Sequence, residues 1–277
     1  MAADIPLDHL VLGAGSAAED LAFVALADLS SILTERPDIE ARLIGGVMVT
    51  LHAQRWQLGQ ELYRQTGDAD LGVPPIALKD PWIVEQLGAK GYTKTEGNRF
   101  EKQVDDLPPE TTVESGAPRA AIDILVPAYT SRPRDNVRVG ELATTEVRGL
   151  AYALNNAPVP VSLEMTRLNG DVLKANILLP SEAACLVLRA FAWSVRGDAK
   201  DAVDLWRALE IAAAAGVKLK SSGGQDEVDA IAITRQAFDS PGTAFEPFFR
   251  VRGLRDDAAT QHRTRLKALI REVLPRS

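Results

Sequence analysis

Two aspartates stand at i and i+2 within Arg64-Gln65-Thr66-Gly67-Asp68-Ala69-Asp70-Leu71-Gly72, ahead of the turn announced by Gly72 and Pro74-Pro75. The stretch reads as a short strand. Alternate side chains of an extended chain share a face, so Asp68 and Asp70 project together while Ala69 and Leu71 point into the core. Like charges held this close repel, and the usual remedies are proton sharing, an Arg or Lys partner, or a divalent cation with several oxygen ligands. A third acid, Asp123, interrupts the apolar run Ala120-Ala121-Ile122-Asp123-Ile124-Leu125-Val126, where an isolated buried charge would be costly. The expectation is that the two strands are neighbours and that the three carboxylates converge on metal.

Ahead of these strands, Ala41-Arg42-Leu43-Ile44 reads as a strand running into Gly45-Gly46, after which Val47, Met48, Leu51 and His52 mark a helical face. A strand, two glycines and a helix start can receive phosphate on backbone N–H groups, because no Cβ blocks the approach and the helix dipole is positive there. Three carboxylates beside such a start fit two-metal phosphoryl or nucleotidyl transfer, in which one ion activates the attacking oxygen and the other stabilises the leaving pyrophosphate. Oxygen ligands suit Mg²⁺ or Mn²⁺. His9, His52 and His262 are widely spaced and Cys185 is alone, which leaves zinc sites and Ser-His-Asp hydrolysis poorly supported.

The chain of 277 residues is 46% hydrophobic, enough for one large or two modest packed domains. Its formal charge of -7 argues against a surface that binds nucleic acid throughout. From Arg235 onward nine Arg or Lys face five Asp or Glu, a local charge of +4 against -11 elsewhere; this reads as a solvated helix face that still permits a local basic patch. Cys185 reads as a reduced, buried thiol. Acidic residues at the start and the lack of a long apolar run give the expectation of a cytoplasmic protein without a membrane span.

The elements that must position these residues can be read in order. Gly13-Ala14-Gly15-Ser16-Ala17-Ala18 formally satisfies a dinucleotide fingerprint, but no second strand with a ribose-binding acid follows. Ser16 and Glu19 form a capping box, and Leu21, Val24, Ala25, Leu29 and Ile32 recur at helical spacing, so the glycines are read as a turn opening a core helix. Gln54 to Gln65 reads as a mobile polar stretch. Asp80-Pro81 opens another helix, and Arg99–Val104 and Ala120–Val126 read as a strand pair. Asn169-Gly170 between Val161–Leu168 and Asp171–Leu179 is a strong hairpin signal. Helices are then expected over Ser181–Val195, Lys200–Ala215, Gln225–Phe238 and Ala258–Val273. The fold class is α/β (α+β), a mixed sheet with flanking helices over residues 1–180 followed by a helical domain over 181–277.

Leu43-Ile44-Gly45-Gly46, His52, the Arg64 to Leu71 string and Ile122-Asp123-Ile124 resemble the first elements of the polymerase β-like nucleotidyltransferases, in the branch that includes the AbiEii and MenT toxins. Arg196, Lys200-Asp201 and Asp204-Leu205 resemble that branch's later helical motifs. The resemblance implies a nucleotidyltransferase-like sheet in which Asp68 and Asp70 bind the metals and Asp123 binds one of them and helps activate the acceptor hydroxyl. It further implies that Gly45 and Gly46 admit the NTP phosphates, and that Arg64, Arg196 and Lys200 neutralise triphosphate or acceptor charge. The competing reading for Lys200, Asp201 and Asp204 is a helix cap with surface i,i+4 pairing.

Departures from the wider pattern are Gly45-Gly46 where many polymerase β-like enzymes have Gly-Ser, although the toxin branch shares the double glycine, and twenty-one residues between Gly46 and Asp68, more than in compact members; the departure from the branch itself is Arg189 where a lysine is common. The implied activity is transfer of a nucleoside monophosphate from an NTP to an acceptor hydroxyl, with the 3′ end of tRNA as acceptor and a toxin restrained by a separate antitoxin as the role. Two alternatives stay open: the same chemistry on a small metabolite or aminoglycoside-like compound, and a non-catalytic nucleotide- or protein-binding module of the same fold.

Overall fold

The computed structural model describes residues 6–59, 62–63, 66–108, 111, 117–239 and 243–275. Two sheets divide the strands. In the larger, β2 (Arg42–Ile44), β3 (Asp68–Gly72), β6 (Arg119–Pro127), β5 (Arg99–Gln103) and β4 (Thr93–Glu96) follow one another. β3 runs parallel to β6 on one side, while β5, antiparallel, and then β8 (Leu142–Val147), parallel, share its other side; β7 (Val137–Val139) extends from β8. The smaller sheet joins β1 (His9–Gly13), parallel, to the hairpin of β9 (Val159–Thr166) and β10 (Val172–Leu179). The sheets are mixed and helices flank them, an α+β fold as expected.

Helix α1 (Ala17–Glu35) packs against β3 and β6 of the larger sheet and β10 of the smaller. Its start follows the capping chemistry. Ser16 Oγ accepts from Glu19 N at 3.3 Å, and Gly15 N donates to Glu19 Oε2 at 2.8 Å, satisfying donors that a helix end leaves open. The core row Ala69, Ile122 and Phe100 lies across β3, β6 and β5 in register and is at most 2% exposed. Asp20 of α1 is fully buried, and its carboxylate accepts from Arg167 Nε and Nη2 at 3.0 and 2.8 Å and from Leu168 N at 2.6 Å. That pairing fixes the hairpin turn to α1, with Arg167 also bound to Asp106.

After Pro180 the chain turns helical: α5 (Glu182–Arg196), α6 (Ala199–Ala214), α7 (Gln225–Phe238), α8 (Phe245–Arg252) and α9 (Asp256–Val273). Hydrophobic burial is continuous across that point, since α5 and α6 pack on α2 (Gly45–Arg55). The expected strands and helices are present with ends shifted by a few residues. The polar stretch expected from Gln54 is helical as far as Arg55. Additional elements are β4, β7, β8, the short helix α4 (Leu150–Asn155) and α8. No helix of the described residues is long and apolar enough to cross a membrane. Cys185 is buried, and burial pushes its thiol up to about 12.

His52 joins α2 to the start of α5. It is fully buried, with Nε2 2.9 Å from the Pro180 carbonyl oxygen and Arg55 Nη1 3.5 Å from Nδ1. Burial pulls its pKa down to about 4, Arg55 reinforces the shift and Glu182 opposes it. The folded state therefore binds fewer protons than the unfolded chain between pH 6.5 and 4, and stability is lost as pH falls through that window. Urea unfolding is expected to show His52 costing about 2 kcal/mol at pH 5 relative to pH 7.5, a component missing from His52→Gln, whose amide N–H keeps a donor toward Pro180.

Candidate active site

The sheet register builds the site. Asp70 of β3 lies directly beside Asp123 of β6, which lies directly beside Arg99 of β5. One row away, Asp68 faces Ala121, and Ala121 faces Glu101. Residues paired across strands point to the same face, so Asp68, Asp70, Asp123, Arg99 and Glu101 share the face opposite the apolar row of Ala69, Ile122 and Phe100. Adjacent strands lie about 4.8 Å apart, where two ionised carboxylates repel by about 3 kcal/mol at an effective dielectric constant near 20.

Arg99 answers part of that repulsion. Its Nη1 donates to Asp123 Oδ2 at 2.9 Å and to Asp68 Oδ2 at 3.3 Å, its Nη2 to Asp68 Oδ1 at 3.3 Å, and its Nε to Glu101 Oε1 at 2.8 Å. Asn98 Nδ2 donates to Asp123 Oδ1 at 3.4 Å. Asp123 is nevertheless raised above the usual carboxylate range, by burial first, with Arg99 opposing and Asp68 adding to the rise. Burial, reinforced by Asp123 and Asp68, pushes Asp70 up to about 6 against the pull of Arg189 and Arg196 on α5.

Gly45 closes the site at the head of α2. It adopts φ 74°, and a Cβ there would lie 1.7 Å from Asp70 Oδ2. Both the left-handed backbone and the close carboxylate require glycine. Gly46 follows, buried in the first turn. The N-terminus of an 11-residue helix thus begins beside the acid row.

The α5 and α6 residues sort differently from expectation. Arg196 is held by Asp201, with Nε 2.9 Å from Oδ2, and its charge reaches Asp70. Asp201 and Asp204 are buried, 2% and 1% exposed, which corrects the reading of surface pairing. Their partners explain it: Arg196 for Asp201, and Arg207 at 2.9 Å with Arg189 at 3.8 Å for Asp204. Lys200 is exposed on the first turn of α6 and makes no ion pair with a described residue. Arg64 lies outside the described residues. Arg99, Asn98 and Glu101 are the site residues that sequence reasoning missed. The only signal for them is the alternation of Arg99 and Glu101 around Phe100, which is silent about register.

The donor set is all oxygen, the kind that suits Mg²⁺ or Mn²⁺, and a cationic group already bridges two of its members. In this conformation no three His, Cys, Asp or Glu side chains among the described residues are arranged to hold a metal ion. Arg99 Nη1 stands between Asp68 and Asp123 instead. A cavity of about 160 Å³ adjoins α2, lined by Val47, Thr50, Leu51 and Gln54 along with Glu19 and Thr66; none of the three acids lines it.

No family model and no curated protein matches the chain. A solved structure of an antigenic nucleotidyltransferase-like protein from Paracoccidioides brasiliensis is similar over 95% of this chain and 98% of that one, with a TM-score of 0.49 and 13% identity. At that distance the functional reading rests on the acid row itself.

Two outcomes test the geometry. Gly45→Ala is expected to lower stability by at least about 2 kcal/mol, from the left-handed backbone and the Asp70 contact, whereas Gly88→Ala, exposed in α3 (Trp82–Ala89) with nothing within 4 Å of the new Cβ, is expected to be neutral or stabilising; thermal melts compare them. Asp70, with its folded pKa raised to about 6, binds more protons folded than unfolded between pH 4 and 6. It therefore weakens the metal-free fold above that window, and the penalty fades as pH falls. Asp70→Asn is expected to stabilise metal-free protein by about 2 kcal/mol at pH 7.5 and by little at pH 4, read from unfolding midpoints at each pH.

Proposed function

We propose that this protein transfers a nucleoside monophosphate from an NTP to an acceptor hydroxyl and releases pyrophosphate. The observation that carries the proposal is the row of Asp70 beside Asp123, with Asp68 on the same face, abutting the glycine start of α2. Asp68, Asp70 and Asp123 would hold Mg²⁺ or Mn²⁺, which supplies charge for the attacking and leaving oxygens when bound. Gly45 and Gly46 would offer the first N–H groups of α2 to phosphate oxygens. Arg196, anchored by Asp201 and sensed at Asp70, faces the same anionic group, and Arg64 and Lys200 remain proposed contacts to triphosphate or acceptor. Asp123, beside Asp70 in the row, would help activate the acceptor hydroxyl by taking its proton.

The finer proposal takes the acceptor to be the 3′ end of tRNA and the role to be a growth-inhibiting toxin held by a separate antitoxin, as the resemblance to the AbiEii and MenT branch implies. Exposed Arg250, Arg255, Arg263, Lys267 and Arg271 on and between α8 and α9 supply a surface on which RNA phosphates can rest.

The test is incubation with each α-labelled NTP, Mg²⁺ and total tRNA, beside an Asp68→Ala, Asp70→Ala double variant of verified fold. Label in RNA is expected with the wild type and reduced by at least about a thousandfold in the variant. Pyrophosphate released only with small-molecule extracts would replace the RNA acceptor by a metabolite. No pyrophosphate under any condition would overturn the transferase reading and leave a binding module.

A further inference from the structure

Arg99 is the one cationic group hydrogen-bonded to the acid row among the described residues, and every nitrogen of its guanidinium is engaged by a carboxylate. The partners come from three strands: Asp68 on β3, Asp123 on β6 and Glu101 on β5 itself. The site is half-open, since the Arg99 side chain is 32% exposed and its partners range from Asp123 at 16% and Glu101 at 20% to Asp68 at 50%. Ala121 explains how one arginine reaches so far. It occupies the position between Asp68 and Glu101 in the neighbouring row, and its methyl group leaves the guanidinium room to lie across β6.

We infer that Arg99 is an internal counter-cation of the acid row that competes with the divalent metal, and that metal binding moves its guanidinium off Asp68 and Asp123 while the Nε bond to Glu101 retains it. The inference rests on the proposed metal role of the acids. Nη1 bonds Oδ2 of both aspartates, and it occupies the place between two carboxylates that a bridging cation needs. A divalent cation bridging Asp68 and Asp123 would need the space that Nη1 holds between their Oδ2 atoms, and two cationic groups crowded into that space would repel each other. Glu101 is well placed to retain the displaced side chain. It lies two residues along the same strand, and its second oxygen is held by Arg119 at 3.3 Å, which fixes the carboxylate without occupying Oε1.

The test measures Mn²⁺ affinity by calorimetry on metal-free wild type, Arg99→Gln and Arg119→Gln. Arg119 bonds Glu101 and neither Asp68 nor Asp123, so its loss removes the same unit charge from the neighbourhood without vacating the row. Arg99→Gln is expected to bind Mn²⁺ at least about tenfold more tightly than wild type, because charge-assisted hydrogen bonds no longer have to be broken. Arg119→Gln is expected to stay within about threefold of wild type, as a more distant and solvent-screened charge. Equal affinity for Arg99→Gln and wild type, or an equal gain in Arg119→Gln, would overturn the role of Arg99 while leaving the metal reading of the acids intact. Absence of Mn²⁺ binding in all three proteins would overturn both.

Should Arg99→Gln fail to fold, the wild type decides through the assigned ¹⁵N–¹H signal of the Arg99 Nη1 group, which bonds both aspartates, in a Mg²⁺ titration. The signal is expected to shift and saturate together with metal binding. A signal unmoved at saturating Mg²⁺ would sink the inference.

Discussion

Repulsion within one acid row is the constraint around which the rest of the molecule is arranged. The parallel pairing of β3 with β6 places Asp70 beside Asp123, and strand alternation adds Asp68 to the same face. No choice of side-chain rotamer separates charges that the backbone has aligned. Relief comes from outside the two strands. Arg99 enters from β5, and Arg189 and Arg196 act on Asp70 from α5. Those arginines are in turn held by acids: Glu101 beside Arg99, Asp201 beside Arg196 and Asp204 beside Arg189. Charges placed in this way cost the fold stability, and their cost is intelligible if the row has work to do with a cation and an anionic substrate.

Much of this was legible in the chain. The i, i+2 spacing of Asp68 and Asp70 and the apolar flanks of Asp123 carry the shared face, and Gly45-Gly46 after a short apolar strand carries the helix start. Arg99 was not legible, because its role depends on the register between β5 and β6, and that register is set across the segment between Gln103 and Arg119. The elements missed fail the usual patterns for identifiable reasons. All four residues of β4 are exposed, so no alternation marks it. β8 turns Thr144 and Glu146 inward, where an apolar pattern would be sought; Thr144 Oγ1 donates to the Ile124 carbonyl at 2.6 Å, and Glu146 accepts from Arg134. α8 contains Pro247, tolerated because it falls in the first turn. The hairpin at Asn169-Gly170 was plain, but its union with β1 in a separate sheet was not, since nothing local specifies a partner so distant in sequence.

Helix α2 ties these parts together. Its first residue touches Asp70, and near its end His52 binds the carbonyl of Pro180 while Arg55 Nη1 donates to Glu182 at 2.9 Å. Trp56 Nε1 donates to the same Glu182 oxygen at 2.9 Å. One short helix therefore spans from the acid row to the start of α5, whose arginines act back on Asp70. The acid row and the helical half of the molecule thus share one packed, hydrogen-bonded helix as a common support.

The pairing of Asp20 with Arg167 has a consequence for the order in which the chain matures. The acids, Arg99 and the central strands are all synthesised by Pro127, so the larger sheet carries its own neutralising cation while still on the ribosome. Helix α1 is different. Its buried Asp20 carboxylate has no counter-charge until Arg167 emerges, and β1 has no partner until β9 follows it, with Leu10 beside Leu163. A nascent chain stopped short of the hairpin would have to bury an unpaired acid to seat its first helix, at a cost of several kcal/mol. Seating α1 with its buried acid paired therefore draws on a residue 147 positions later in the chain, which ties the first helix to the hairpin energetically as well as spatially.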